Sequence, residues 1–169
     1  MLSEKMEKAL NAQINAEFWS AYLYLSMSVH FSAKGMKGVP TGSPFSSGAG
    51  SCQIFVDYVL ARGGRVTLAP IAEVPCEWES PLASFEATLV HEKKVTAMID
   101  ALCRQAEADK DFATANKLVW FVDEQVEEEQ NAQDIIDSLK MVDDSKMGLY
   151  MIDKELAARV YTAPSIAGA

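Results

Sequence analysis

The chain has 169 residues, of which 49% are hydrophobic and 23% are charged, a balance typical of one globular domain. Its formal charge of -9 argues against nucleic acid or an anionic membrane surface as the partner and favours cations. Cys52, Cys76 and Cys103 are odd in number and share no CxxC spacing, so they suggest neither a zinc cluster nor a disulfide framework and fit a reducing cytoplasm. Because no long apolar run and no signal-like N-terminal segment occur, we expect neither export nor membrane insertion.

Apolar periodicity predicts long helices along most of the chain. Neither Gly nor Pro interrupts the stretch from the N-cap residue Ser3 to about Ser32, so one long helix is expected there. The pattern fails across residues 39 to 52, which hold two prolines, three glycines and four serines. Each Pro costs a helix about 3 kcal/mol and each Gly about 1 kcal/mol. The helical pattern resumes only in residues 53 to 62, before a Gly-Gly stop signal.

The second half of the sequence predicts a long connection and three further helices. Residues 65 to 81 carry three prolines and are typical of a segment that crosses a helical bundle. Helices are expected over about residues 82 to 110, 112 to 142 and 145 to 160. The predicted domain covers residues 1 to 160, and the tail from 161 to 169 is expected to be disordered. The predicted fold class is therefore all-α.

Three of the predicted helices place a glutamate in the row of residues that should face the core. Steps of three and four residues put Glu17, Glu92 and Glu128 in such core-facing rows. An unpaired ionised carboxylate in a core costs several kcal/mol, and the rows contain no Lys or Arg. Three converging carboxylates therefore predict bound divalent cations, and oxygen ligands suit Fe, Mn or Mg.

Each of these features also has an interpretation without a metal. A single glutamate in a core-facing row lies at the edge of the bundle, in reach of water, if the register is shifted by one residue. Tyr24 either donates a hydrogen bond to a metal site or simply packs in the core. Glu124, Glu127 and Glu129 either extend the acidic cluster or form a solvated face. His91 points away from the core-facing row and is expected at the surface or behind the ligands.

Six segments carry a family resemblance: residues 15 to 27, 77 to 82, 91 to 92, 111 to 114, 120 to 129 and 151 to 156. They resemble the prokaryotic non-haem ferritins, members of the ferritin-like di-iron carboxylate family. The resemblance covers residues 1 to 38 and 53 to 160 in the family's order. It implies a ferritin-like four-helix bundle with a long crossover between the second and third helices and a short fifth helix.

The resemblance implies iron ligands at the matching positions. Glu17 resembles a ligand of the first iron, and Glu92 and Glu128 resemble ligands of the second, with Gln125 beside it. Tyr24 resembles the tyrosine next to the di-iron centre.

Further family properties follow as expectations from the same resemblance. Glu124 and Glu127 resemble the carboxylates of an accessory third iron site. Fe(II) would be oxidised by dioxygen or hydrogen peroxide and stored as Fe(III) in a cytoplasmic homo-oligomeric cage of about 24 subunits. Haem is not expected, because the family's haem methionine lies on the second helix and residues 53 to 62 contain no Met.

The chain departs from the family at residues 39 to 52. The family's second helix carries Glu-Glu-x-x-His, whose second glutamate bridges the irons and whose histidine is the nitrogen ligand, and both are missing here. Two explanations are open. One is that residues 39 to 52 record a reading-frame error, because shifted reading frames allow the family's expected residues in order. The other is that the chain is a divergent or engineered subunit. In the second case Glu17 alone holds the first iron and rapid ferroxidation is lost, while cage assembly and iron binding persist.

Two other functions compete with a ferroxidase. A rubrerythrin-like peroxide reductase usually adds a site of four cysteines, which three scattered cysteines do not supply. A non-catalytic structural subunit of a mixed cage is the second rival. Iron uptake without oxidation would favour it.

Overall fold

The computed structural model describes residues 1–39, 45–143 and 145–158, and for residues 45–49 it describes the backbone alone. Within these ranges the chain forms helices α1 (Glu4–Ala33), α2 (Phe45–Ala61), α3 (Pro81–Ala108), α4 (Phe112–Val142) and α5 (Lys146–Ala157). No strand occurs in the described part of the chain, and the all-α prediction is confirmed. No helix described here has the length and hydrophobicity needed to cross a membrane. The predicted disordered tail lies outside the described residues.

Local sequence sets the start of four helices. Each N-cap side chain accepts a hydrogen bond from a backbone amide of the first turn, which satisfies a donor that has no partner inside the helix. The N-cap residues of α1, α3, α4 and α5 are Ser3, Ser80, Asp111 and Ser145. The predicted bounds of α1, α3 and α4 are confirmed within two residues at each end.

The prediction that residues 39 to 52 interrupt the second helix is wrong for residues 45 to 52. These residues form the first half of α2, and residues 40 to 44 lie outside the described ranges. Cys52, Phe55 and Val59 of α2 are buried in a core cluster shared with α1, α3 and α4. Because tertiary packing of an apolar face contributes more to helix stability than intrinsic propensity does, the Gly-rich and Ser-rich turns are kept helical.

The core consists of two apolar clusters at opposite ends of the bundle. One contains Leu10, Phe55 and Phe121, and the last two rings stack with centroids 3.9 Å apart. The other contains Phe31 and Trp78, together with further residues of α3, α4 and α5. Along each of α1, α3 and α4, a short polar section separates the residues of the two clusters. This polar section is the candidate functional site.

The fifth helix is fixed to the end of α1 by one carboxylate. Asp153 accepts hydrogen bonds from the backbone amides of Lys37, Gly38 and Val39, at nitrogen-to-oxygen distances of 3.2, 2.7 and 3.0 Å. Gly38 allows this close approach, because a Cβ there would lie 1.6 Å from the backbone oxygen of Asp153. The contact holds the segment that follows α1 against α5.

An ion pair joins the end of α2 to the start of α4. Arg62 Nη2 lies 3.0 Å from Asp111 Oδ2, and the two side chains are 21% and 13% exposed. Arg62 Nη1 donates a second hydrogen bond to Asp111 Oδ1 at 3.1 Å. Although burial alone raises the pKa of Asp111, the hydrogen bonds from Arg62 and Thr114 lower it to about 2. The pair therefore stabilises the position of α2, the helix whose sequence departs from the family.

We expect Asp111→Ala to lower the free energy of unfolding by about 2 to 4 kcal/mol, because it removes both a helix cap and a mostly buried ion pair. The contribution of Asp111 is present above pH 3.8 and is lost as the pH falls through about 2, because its pKa is lowered in the folded state. Denaturant unfolding at neutral pH measures the loss. Lys8→Ala is the control: its ion pair with Glu4 is 75% and 83% exposed, so less than about 1 kcal/mol is expected. Equal losses in both variants would contradict the role of the Arg62 pair.

Candidate metal centre

Polar side chains from three long helices meet between the two core clusters. Glu17 of α1, Glu92 of α3 and Gln125 of α4 are 6%, 4% and 9% exposed. Together with Tyr24 and residues of α2 and α4 they line a cavity of about 20 Å³. A volume of this size accommodates roughly one water molecule or small ion. The structure thus brings together four residues predicted from the sequence, and metal binding by them stays a prediction.

Uncharged donors hold the two buried carboxylates. Gln13 Nε2 donates to Glu17 Oε1 at 2.7 Å. Gln125 Nε2 donates to Glu92 Oε2 at 3.1 Å, and the Tyr24 hydroxyl donates to Glu92 Oε1. These bonds orient both carboxylates and favour their ionised forms without neutralising the charge.

Burial is the largest influence on the titration of this site. Burial raises the pKa of Glu17 to about 7, and the charges of Glu92 and Glu128 add to this effect against the hydrogen bond from Gln13. Burial also raises the pKa of Glu92, which the hydrogen bonds from Tyr24 and Gln125 oppose. Burial and the neighbouring carboxylates raise the pKa of Tyr24 well above its ordinary value, so its hydroxyl stays a donor.

The other predicted iron ligands lie further from the centre of the bundle. Glu128 and Glu124 are half-buried and line the cavity. Burial, followed by the charges of Glu127 and Asp123, raises the pKa of Glu124. Glu127 is exposed and lies outside the cavity lining. The structure therefore brings Glu124 to the site but leaves Glu127, its predicted partner in a third iron site, at the surface.

The side of the cavity formed by α2 carries a hydroxyl. Ser51 lines the cavity from α2. Gly48 precedes it by three residues, the spacing that places two positions on one face of a helix. The described residues include no group of three Asp, Glu, His or Cys side chains placed to hold one metal ion. Carboxylates thus line the cavity from α1, α3 and α4, and a hydroxyl lines it from α2.

Gln13 is a site residue that the sequence analysis missed. Its side chain is 1% exposed, and its Oε1 has no hydrogen-bond partner among the described residues. Leaving a buried acceptor unsatisfied costs about 1 to 3 kcal/mol. The available signal was the spacing: a glutamine one turn before a core-facing glutamate lies on the same face of the helix.

His91 was predicted to lie either at the surface or behind the ligands, and it lies directly behind the site. It is half-buried, and its Nε2 lies 2.7 Å from Ser20 Oγ. Its ring centroid is 5.0 Å from that of Trp19 and 6.1 Å from that of Tyr24. Burial, followed by the charge of Lys94, lowers the pKa of His91 to about 4, so the ring is neutral at pH 7. His91 therefore packs against Tyr24 as an uncharged group.

The lowered pKa of His91 makes the protein more stable as the pH rises from about 4 to 6.5. Glu17 acts in the opposite direction and makes the metal-free protein less stable as the pH rises from 4.5 to about 7, because the folded state retains the Glu17 proton that the unfolded state has lost. The loss is about 3 kcal/mol. Glu17→Gln should remove the Glu17 contribution, so the chelator-treated variant should exceed wild type in stability by an amount that grows from pH 4.5 to about 7 and is largest at pH 8, measured by denaturant unfolding. The raised pKa of Glu92 leaves a weaker dependence in the variant. Glu127→Gln replaces an exposed glutamate of α4 and should leave the dependence unchanged. A Glu17→Gln variant less stable than wild type at pH 8 would contradict the raised pKa.

Comparisons with known proteins agree with this architecture. A family model described as the ferritin-like domain matches residues 7–142. The chain is 42% identical over 161 residues to a bacterial non-heme ferritin of Bacteroides fragilis (strain 638R), covering 94% of this chain and 100% of the relative. It is 35% identical over 166 residues to a bacterial non-heme ferritin of Staphylococcus epidermidis, covering 95% and 98%. A solved open pore ferritin from the hyperthermophilic archaeon Archaeoglobus fulgidus is similar with a TM-score of 0.93 at 46% identity, covering 95% of this chain and 100% of that chain. The chain therefore belongs to the ferritin family.

Proposed function

We propose that this protein stores iron as a subunit of a ferritin cage, and that its own ferroxidase site is incomplete. Membership of the ferritin family supports the storage role. The observation that carries the second part is that, among the described side chains, Ser51 is the residue through which α2 lines the cavity that the buried Glu17 and Glu92 also line. The family's motif would offer a glutamate and a histidine from this helix.

The proposed chemistry uses iron as the substrate. Two Fe(II) ions reduce dioxygen and, with two protons, give two Fe(III) ions and hydrogen peroxide; hydrogen peroxide can itself serve as the oxidant in a later cycle. Glu92 and Glu128, with Gln125 beside them, would hold one Fe(II), and Glu17 would hold the other. Buried carboxylates favour Fe(III) over Fe(II), which assists the transfer of electrons. Without a bridging residue from α2, the iron at Glu17 is weakly held and oxidation is slow.

The remaining parts of the proposal follow from the family. The storage form is a homo-oligomeric cage of about 24 subunits in the cytoplasm. Glu124 is a candidate ligand for a third iron, because it is half-buried at the cavity. The exposure of Glu127 makes a tightly bound third iron less favourable.

A complete ferroxidase is the second candidate function. It is favoured by the retention of Glu17, Tyr24, Glu92 and Gln125 in one buried group. It requires that the chain made in the cell differs from the printed sequence in residues 39 to 52. The intact mass of the purified chain distinguishes these cases, because the printed sequence corresponds to 18.5 kDa.

Stopped-flow absorbance after mixing with two Fe(II) per subunit in air tests the proposed function. We expect slow oxidation by the protein of printed sequence, and net iron loading over longer times. The double substitution Gly48→Glu/Ser51→His should accelerate oxidation at least about tenfold, because it supplies a carboxylate and an imidazole on the cavity side of α2.

The matched control is Gly50→Glu/Gln53→His, which places the same side chains at the same spacing and directs the histidine to the exposed position 53. This control should not accelerate oxidation. Wild-type oxidation as fast as that of Gly48→Glu/Ser51→His would overturn the proposal that the ferroxidase site is incomplete. Failure of every form to load iron would overturn the storage role.

A further inference from the structure

Gln13 has a combination of burial and bonding that packing alone does not explain. Its side chain is 1% exposed, one end of its amide donates to Glu17 at 2.7 Å, and the other end has no partner among the described residues. A Leu or Met of similar volume would fill the same space without burying an unsatisfied oxygen. The fold therefore retains a polar group at a cost in stability.

The benefit that offsets this cost lies in the Glu17 carboxylate. A carboxylate on a long side chain has several rotamers, and a hydrogen bond at one oxygen fixes its position while leaving the second oxygen for a cation. The second buried carboxylate is held in the same way, because Gln125 donates to Glu92 at 3.1 Å. Glu92 has the Tyr24 hydroxyl as an additional donor. Gln13 is the donor to Glu17 found among the described residues, so it carries more of the orientation on that side of the cavity.

We propose that Gln13 is a positioning residue that holds the Glu17 carboxylate in the geometry for metal binding. The inference rests on the proposed function, since it assigns the support of one ligand in that same site. Gln13 acts through Glu17 and does not itself bind the cation. Groups that orient a metal ligand in this way typically change metal affinity by about 10-fold to 100-fold when they are removed.

The test uses the assembled protein and anaerobic titration with Co(II), whose visible absorption reports the number and geometry of its ligands. Gln13→Met should weaken binding of the Glu17-dependent Co(II) by at least about tenfold. The Glu17→Gln variant defines the Glu17-dependent part of Co(II) binding, which is the part that wild type has and this variant lacks. Because Gln13 acts only through Glu17, the double substitution Gln13→Met/Glu17→Gln should match Glu17→Gln alone. The apparent Tm of metal-free Gln13→Met should stay close to that of wild type, because the substitution removes an unsatisfied buried oxygen but also leaves the Glu17 carboxylate without its donor.

Ile14→Val is the matched control for packing. Ile14 is the neighbouring residue of α1 and is also 1% exposed, so its truncation should lower the Tm and leave Co(II) affinity unchanged. Wild-type affinity in Gln13→Met would overturn the inference, as would an additive loss in the double substitution. Equal loss of affinity in Ile14→Val would also overturn it. A wild-type protein that binds Co(II) only in a manner independent of Glu17 would overturn the inference and leave the proposed function intact, because that function already gives Glu17 a weakly held ion. A wild-type protein that binds no Co(II) at all would overturn the proposed function as well.

Discussion

The fold buries two carboxylates, Glu17 and Glu92, in a polar section between two apolar clusters, and hydrogen bonds from uncharged side chains hold them there. Burial of this kind opposes ionisation, so the folded state keeps the pKa of both groups raised. The apolar clusters supply the stability that makes the polar section tolerable. Everything proposed about function depends on this arrangement, since it leaves a small cavity with negative charge that a cation can neutralise.

The second helix combines a retained fold with an altered site. Its C-terminal half is buried through Phe55 and Val59 and tied to α4 through Arg62, so the helix lies along α1 although its first half is rich in Gly and Ser. Packing thus determines the path of the backbone, while the local sequence determines which side chains reach the cavity. At position 51 that side chain is a serine. A chain of this family can therefore keep the fold while presenting different side chains to the cavity.

Much of this could be predicted from the sequence, because helix periodicity is a local property. The core-facing row of α3, including Glu92, is buried throughout, and α4 begins and ends where its pattern does. The first half of α2 could not be predicted from propensity, since the contacts that stabilise it come from other helices. The position of Glu127 also depends on a rotation of about 100° between consecutive residues of α4, which decides between cavity and solvent. Gln13 could not be predicted in this way, because it lies beside the core-facing row that contains Ile14 and Glu17 and is not a member of it.

The central claim is that carboxylates from α1, α3 and α4 face an α2 surface without a strong ligand. Anomalous diffraction from crystals soaked anaerobically with Fe(II) tests this claim directly, because it locates each iron and its ligands. The account predicts an iron at Glu92 and Glu128, and low occupancy beside Glu17. Two fully occupied irons about 3.5 to 4 Å apart, the spacing of a complete two-metal site, would contradict it.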